Sequence, residues 1–313
     1  MLLPTASTTG RGKISEKIQL TAHVQVMAEV IEGQLATKEG MSQIFMIFLI
    51  FMCLFFSACN NFNFEGIRER FRENFSGNLG APSNIDPAGS NSFTFAVFGD
   101  THVGLTSTSF ISSAMMKSKN DGDAFVVVAG DLTNLGKADE FNAYIGTMNA
   151  SAHLYRSVIG NHDLYFDGWT NFKQYVGRSI YSFDADNVHF SILDSGNGTL
   201  GEAQLNWLKS DLAATSQPIK IVVSHYAPVS GELDNLFKLA SEEECAILKN
   251  ILHRNSVNYF VAGHYHGFRE MKLGNTTYIV TGGVNSFLDP GQSNHLVRFT
   301  VNGNSINHQK VEL

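Results

Sequence analysis

The chain is short of cysteine and of positive charge. Of its 313 residues three are cysteines, and two of them, Cys53 and Cys59, fall in one hydrophobic segment. Cys245 is left alone in the remainder, so no disulfide framework supports the globular part. Its setting, "EEECAILKNIL", groups it at helical spacing with Leu248 and Leu252. That reads as a small buried side chain rather than a reactive thiol. Lys and Arg number 22 against 29 Asp and Glu, a net charge of -7. The deficit excludes the basic face by which nucleic acid is usually held, so no nucleic-acid partner is expected. Internal repeats are absent, and nothing marks a second globular domain. Charged residues make up 16% of the chain and hydrophobic ones 43%, a balance that suits a well-buried core.

Charge is missing altogether from residues 41–58, "MSQIFMIFLIFMCLFFSA". The length is marginal for a membrane span and suits the apolar centre of a signal segment. Ser57 and Ala58 before Cys59 resemble the lipobox of a bacterial lipoprotein precursor, which implies cleavage before Cys59 and acylation of its thiol. An uncleaved amino-terminal anchor is the alternative. Either way the rest of the chain is expected to be exported and membrane-anchored in a bacterial cell envelope. Residues 1–40 fit neither reading, and are expected to be an untranslated or disordered extension ahead of a true start at Met41. Residues 60–92, rich in Asn, Gly, Ser and Pro, have the composition of a tether. Within them Ile67, Phe71 and Phe75 recur every four residues beside Arg68, Arg70 and Arg72. This predicts a short amphipathic helix, lying on lipid or, the preferred reading, packing on the domain.

From Phe93 to the end the pattern is regular. "FTFAVFGD", "AFVVVAGD", "LYRSVIGN", "HFSILD", "IKIVVSHY" and "NYFVAGHYH" are short β-prone runs,. Helical stretches are predicted near 107–118, 136–149, 201–213 and 241–253. Strand–helix alternation implies one α/β domain over residues 93–313. After residue 267, "GFREMKLGNTTYIVTGG" and "HLVRFTVNGNSINHQKVEL" read as hairpins around Gly-Asn turns.

Nearly every core strand ends in metal-binding chemistry. "VFGDTH" supplies Asp100 and His102, and "VAGDL" supplies Asp131. "VIGNHD" supplies Asn161 and His162, "VVSHY" supplies His225, and "VAGHYH" supplies His264 and His266. Sites in α/β sheets form beyond the carboxyl ends of strands, so residues distant in sequence would meet at one edge. An i, i+2 spacing puts Asp100 and His102, and His264 and His266, on the same side of extended chain. A lone Gly-Asp or Gly-Asn is usually a turn, but five such clusters in order, each after an apolar run, are not coincidence. Carboxylates, an amide and imidazoles without a thiolate suit manganese, iron or zinc better than calcium or copper(I).

These motifs resemble the calcineurin-like metallophosphoesterase family over about residues 93–313. The resemblance implies an α/β fold in which a two-sheet β-sandwich is flanked by helices in four layers, αββα, with two divalent or mixed-valence metal ions at one edge. By the same resemblance Asp100, His102 and His266 bind one ion, and Asn161, His225 and His264 bind the other. Asp131 bridges both. His162 binds neither and contacts the substrate or protonates the leaving group. The chemistry is coherent with that assignment: paired cations hold a phosphate ester and its attacking hydroxide together against charge repulsion, and an imidazole can be cationic near neutral pH, as an acid should be.

The stretch "GDLTNLG" narrows the branch. The arginine of the family's Ser/Thr phosphatases is absent at Leu135, and the tyrosine ligand of its purple acid phosphatases is absent at Asn134. Together with "GHYHG" it looks most like the bacterial branch that includes cyclic-nucleotide phosphodiesterases. Asn134 is a candidate hydrogen-bond partner of His162. Tyr165, Tyr226 and Tyr265 are expected at the mouth, and Phe166 and Trp169 to stack on substrate or pack in the core. His153, His189, His253, His295 and His308 read as ordinary residues. The expected function is metal-dependent hydrolysis of phosphodiesters or phosphomonoesters, with a phosphate-ester small molecule as partner. The alternatives are an inactive membrane-tethered binding protein on the same fold, or a metal hydrolase of another bond.

Overall fold

Alternation within β1 (Ser92–Phe98) builds two cores at once. Successive side chains of a strand point to opposite faces. Phe93, Phe95 and Val97 enter one apolar cluster, and Ala96 and Phe98 enter another. The computed structural model describes residues 66–87, 91–229 and 238–313. The extension 1–40, the apolar segment 41–58 and Cys59 lie outside the described residues.

β1 lies parallel to β2 (Val126–Val128), which lies parallel to β3 (Tyr155–Ser157). The hairpin β10 (His295–Asn302) and β11 (Ser305–Glu312) closes the other side, giving the order β11-β10-β1-β2-β3. The second sheet has the order β4-β5-β6-β7-β9-β8. Its strands are β4 (Tyr181–Ala185), β5 (Val188–Ile192), β6 (Ile219–Val223), β7 (Tyr259–Ala262), β8 (Phe268–Leu273) and β9 (Thr276–Thr281). β5, β6, β7 and β9 run parallel, while β4 and β8 pair antiparallel at the edges. The β8–β9 turn is the expected Gly-Asn, with Gly274 at φ +61°, a conformation open to glycine at little steric cost.

The two sheets face each other across phenylalanines. Phe95 stacks on Phe125 at 5.1 Å and on Phe299 at 4.8 Å, and meets Phe190 of the opposite sheet edge-on at 5.2 Å. Helices cover both outer faces. On the first sheet lie α2 (Ser109–Asn120), α3 (Ala138–Ala150) and α4 (Gly168–Tyr175), contributing Ile111, Met115, Phe141, Tyr144 and Phe172. On the second lie α5 (Gly201–Ala214) and α6 (Glu242–Arg254), with Leu205, Leu208, Leu248 and Leu252. Ser241 caps α6 by accepting from the Glu244 amide at 3.2 Å. Cys245 is buried in this layer, as its helical spacing implied. The result is the four-layer αββα sandwich.

The stretch 60–92, expected as a tether carrying a short helix, is bound to the sandwich over its described part. The helix α1 (Ile67–Asn74) exists, but the residues it buries are Arg70 and Asn74. The apolar stripe is only half-buried at Ile67 and Phe71, and Phe75 is exposed. A buried ion pair and an amide therefore orient this helix, and periodicity alone does not reveal them. Arg70 donates to Asp194 through Nε at 2.8 Å and a terminal nitrogen at 2.7 Å. The Asn74 side-chain oxygen accepts from the amides of Ser179 and Ile180 at 2.8 and 3.1 Å. Downstream, Ile85 forms a bridge with Ala185 at the edge of β4.

Candidate active site

Five parallel strands, three from one sheet and two from the other, end at the same edge, and each delivers candidate site residues just beyond its last paired residue. β1 is followed by Asp100 and His102, β2 by Asp131, β3 by Asn161 and His162, β6 by His225, and β7 by His264 and His266. The loops are strained to do so. Asp100, His102, Asp131 and His264 have φ of 59°, 41°, 50° and 69°. Left-handed backbone costs a non-glycine residue about 1–2 kcal/mol, and such strain concentrates at functional sites. Backbone bonds stitch the loops together. The Asp100 amide donates to Gly130 O at 3.0 Å and the His102 amide to Asp131 O at 2.9 Å. The His162 amide donates to Asp131 Oδ1 at 2.9 Å, and the His264 amide to Asp100 Oδ1 at 3.0 Å. Glycine is required at position 160, where a Cβ would lie 2.9 Å from Asp131 Cγ and nearer still to its backbone nitrogen.

The side chains converge. One ligand atom from each of Asp100, His102 and His266 lies within 4.8 Å of the others, and the same holds for Asp131, His225 and His264. A third such group joins His102, Asp131 and His162, so His162 stands beside the cluster rather than apart from it. His102 Nε2 and His266 Nε2 are 3.2 Å apart, as are His225 Nε2 and His264 Nδ1. Asn161 Oδ1 lies 3.1 Å from His225 Nε2, which is 3.3 Å from Asp131 Oδ2. All eight residues expected from sequence are brought to one place.

Hydrogen bonds fix which nitrogens face inward. His225 Nδ1 donates to Ala129 O at 3.0 Å, which turns Nε2 to the cluster. His162 Nδ1 donates to Asn134 O at 2.8 Å, leaving Nε2 for a reacting group. The partner of His162 at Asn134 is thus the backbone carbonyl rather than the side chain.

Electrostatics leave the cluster in want of cations. Asp100 and Asp131 are buried. Burial pushes the Asp100 carboxyl well above its usual range, with the Asp131 charge adding to it. Burial also opposes ionisation of Asp131, but the charge and the hydrogen bond of His225 outweigh it and pull its carboxyl down. Burial drives His102 and His264 to about 3, so both present lone pairs. His225 is the exception. Burial works against its cation, yet Asp131 and Asp100 lift it to about 9. A divalent cation at this spot would take over the work of that proton, balancing two buried carboxylates among neutral imidazoles. The donor set therefore fits divalent metal ions.

Several supporting residues had no role in the sequence reading. Asp163 ends the quoted "GNHD" and is buried. Its carboxylate accepts from the amides of Leu132 at 3.1 Å, Thr133 at 2.9 Å and Gly160 at 2.9 Å, and from Thr133 Oγ1 at 2.8 Å. It pins the Asp131 loop to the Asn161 loop. Burial, reinforced by Asp131, raises Asp163 to about 7. Asn285 donates to Asp100 O at 3.1 Å, and Asp289 accepts from the His266 amide at 3.1 Å. Phe287 packs against both His102 and His266, with ring centroids 5.0 and 4.8 Å apart. The segment carrying these three, "VNSFLDPG", has no periodicity that marks it.

The aromatic expectations divide. Tyr226 packs on His264 with centroids 4.0 Å apart, and Tyr165 on His162 at 4.9 Å. Tyr265 is buried, with its hydroxyl accepting from Arg269 at 3.2 Å. Trp169 belongs to the core and donates to Glu73 at 3.0 Å. Phe166 is exposed, at φ 52°. His189, read as ordinary, bridges two carboxylates, with Nδ1 2.7 Å from Asp184 and Nε2 2.9 Å from Asp211.

Comparison with known proteins agrees with this geometry. Residues 93–268 match the family model described as calcineurin-like phosphoesterase. A protein of Fibrobacter succinogenes named as a probable cyclic nucleotide phosphodiesterase is 24% identical over 187 residues, 58% of this chain and 72% of that protein. One of Rhodococcus erythropolis with the same kind of name is 28% identical over 156 residues, 45% of this chain but only 50% of its own length. Among solved structures, a purple acid phosphatase from yellow lupin superposes with a TM-score of 0.60 at 16% identity, covering 70% of this chain and 51% of the lupin chain. A dimetal phosphatase from Danio rerio gives 0.54 at 15% identity, covering 70% and 98%. Identities this low show shared fold. The family match, spanning more than half the sequence, shows more: this chain belongs to the calcineurin-like phosphoesterases, metal-dependent hydrolases of phosphate esters.

Proposed function

We propose that the chain is a phosphodiesterase, with cyclic nucleotides or kindred diesters as substrates, acting outside the cytoplasm while tethered to a membrane. The observation that carries the hydrolytic reading is the position of Asp131 Oδ2, 3.6 Å from His102 Nε2 and 3.3 Å from His225 Nε2, between the two candidate ligand groups. Asp100, His102 and His266 would hold one ion, Asn161, His225 and His264 the other, with Asp131 common to both. When bound, such ions supply Lewis-acid charge to phosphoryl oxygens. The protein's own contribution is placement. Asp163 fixes the two loops that carry Asp131 and Asn161. His162 Nδ1, held by Asn134 O, aims Nε2 at the site to carry a proton to the departing oxygen,. Tyr226 and Phe287 form apolar walls beside the imidazoles. Preference for diesters is supported by the names of the curated relatives and by Leu135, which stands where an arginine would grip a dianionic monoester,.

The test is hydrolysis of bis(4-nitrophenyl) phosphate and 4-nitrophenyl phosphate by metal-free protein, with and without added manganese. The expected result is manganese-dependent turnover that favours the diester. A preference for the monoester refutes the substrate assignment, and failure on both esters favours a binding protein or a hydrolase of another bond.

The tether rests on residues 41–59, which lie outside the described residues. No helix of the described residues is long and apolar enough to cross a membrane. Acylation at Cys59 is tested by Cys59→Ala. Loss of processing and of detergent-phase partitioning is expected, and unchanged partitioning assigns the segment to an uncleaved anchor.

A further inference from the structure

The two halves of the candidate site rest on one short loop, residues 194–196, which follows β5. Ser195 Oγ accepts from the amides of His225 at 3.2 Å and Tyr226 at 2.9 Å, and receives the Ser224 hydroxyl at 2.8 Å. It thereby sets the backbone from which His225 enters the cluster. Gly196 backs the other half. A Cβ there would come within 3.0 Å of Gly160 O and 2.6 Å of Leu164 Cδ1, so the loop lies directly behind the turn that presents Asn161 and His162.

What holds this loop is Asp194. It is buried, and its backbone is clamped by Gln204, whose Oε1 accepts from the Asp194 amide at 2.7 Å and whose Nε2 donates to Asp194 O at 2.8 Å. Its carboxylate accepts from Ser179 Oγ at 2.8 Å and turns back to the Gly196 amide at 3.2 Å. The cation that balances it is Arg70 of α1, bound in a two-pronged contact with both partners fully buried. A guanidinium suits this geometry because two parallel donors match two carboxylate oxygens. Without it a carboxylate would be left charged and unmatched in the interior, which an interior does not tolerate without rearrangement.

We propose that Arg70 is a positioning residue for the phosphoesterase site, acting through Asp194 and Ser195 on His225 and through Gly196 on the Asn161 turn. The catalytic unit then begins at α1, upstream of residue 93 where the family match starts. The helix Ile67–Asn74 is thus a working part of the site rather than a spacer. Displacing α1 withdraws the counter-charge of Asp194 and loosens the loop behind both ligand groups.

This inference rests on the reading that His225 and Asn161 hold metal, and the experiment separates the two. The full chain is made as wild type, Arg70→Met, Arg70→Lys, Arg70→Met with Asp194→Asn, and Ser195→Ala. Metal-free protein is titrated with manganese alone to obtain its affinity, and kcat and KM are measured on bis(4-nitrophenyl) phosphate. Loss of residues that orient metal ligands typically costs about 10–100-fold in affinity or activity. Arg70→Met is expected to weaken manganese binding and lower kcat within that range, with KM nearly unchanged. Arg70→Lys should recover part of both, since it restores the charge but not the fork. Ser195→Ala should shift the same two quantities in the same direction. If Arg70→Met fails to fold, the double variant, which leaves no unmatched charge, replaces it and should still show weakened binding and reduced kcat. Folded variants with wild-type manganese affinity and kcat, altered only in melting temperature, overturn the proposal and make Arg70 purely structural. A wild-type protein that binds manganese but cleaves neither ester refutes the proposed function, while the binding titrations still decide the role of Arg70.

Discussion

Gly160→Ala adds one methyl group at the tightest point of the site. The new Cβ would lie 2.9 Å from Asp131 Cγ, and closer than that to Asp131 Oδ1 and its backbone nitrogen, where real Cβ atoms keep beyond 3.0 Å. The obstacle includes backbone, so no side-chain rotation relieves it. Either Asp131 or the 160–162 turn must retreat by about 1 Å, and misplacement on that scale costs on the order of 10²-fold in rate. The overpacking itself should destabilise by about 1–3 kcal/mol. Gly146 is the control. It lies exposed within α3, and a methyl added there would meet nothing within 4 Å, so Gly146→Ala should stabilise by about 0.5–1 kcal/mol and leave turnover untouched. Thermal melts and steady-state kinetics on the nitrophenyl diester, at saturating manganese, measure both variants. A Gly160→Ala enzyme with wild-type kcat would show that Asp131 and the Asn161 turn need not be in register.

His162→Ala should keep its metal, since both ligand groups remain complete without it, while kcat falls by about 10²–10⁴-fold. The loss should be smaller for nitrophenolate than for an alkyl or nucleoside leaving group; equal losses would assign His162 to phosphate binding, and lost metal would make it a ligand. The His189 bridge should make stability depend on pH. Burial opposes its cation, but Asp211 and Asp184 more than compensate and raise it. Its contribution is therefore complete below the ordinary imidazole value of about 6.5 and lost as pH rises through the raised folded value. Melting temperatures of wild type should fall across that interval, and His189→Gln should flatten the slope; parallel profiles would refute the bridge as its source.

The sequence made the site more legible than the scaffold around it. Asp100, His102, Asp131, Asn161, His162, His225, His264 and His266 could be found because each follows an apolar run that ends a parallel strand, and strand ends in this topology share an edge. Helices with an apolar face lay close to expectation: α5 was expected over 201–213 and spans Gly201–Ala214. What stayed hidden depends on pairings between distant positions. Arg70 and Asp194 are 124 residues apart, and nothing in the local pattern at either end announces the other. The α1 stripe of Ile67, Phe71 and Phe75 pointed to a helix but not to the face it buries. Asp163 was visible as a letter in "GNHD", yet its task of accepting four donors from two loops appears only when those loops are adjacent. Asn285, Phe287 and Asp289 sit in an irregular segment whose placement is set by its surroundings, not by periodicity.

The central claim is that one carboxylate, Asp131, serves two adjoining metal positions. Manganese titration of metal-free wild type and of Asp131→Ala, read by metal analysis of the washed protein, tests it most directly. The expected result is two ions per wild-type chain and weakened binding of both in the variant, with hydrolysis lost alongside. A variant that retains one tightly held ion would contradict the account, because Asp131 would then belong to a single position.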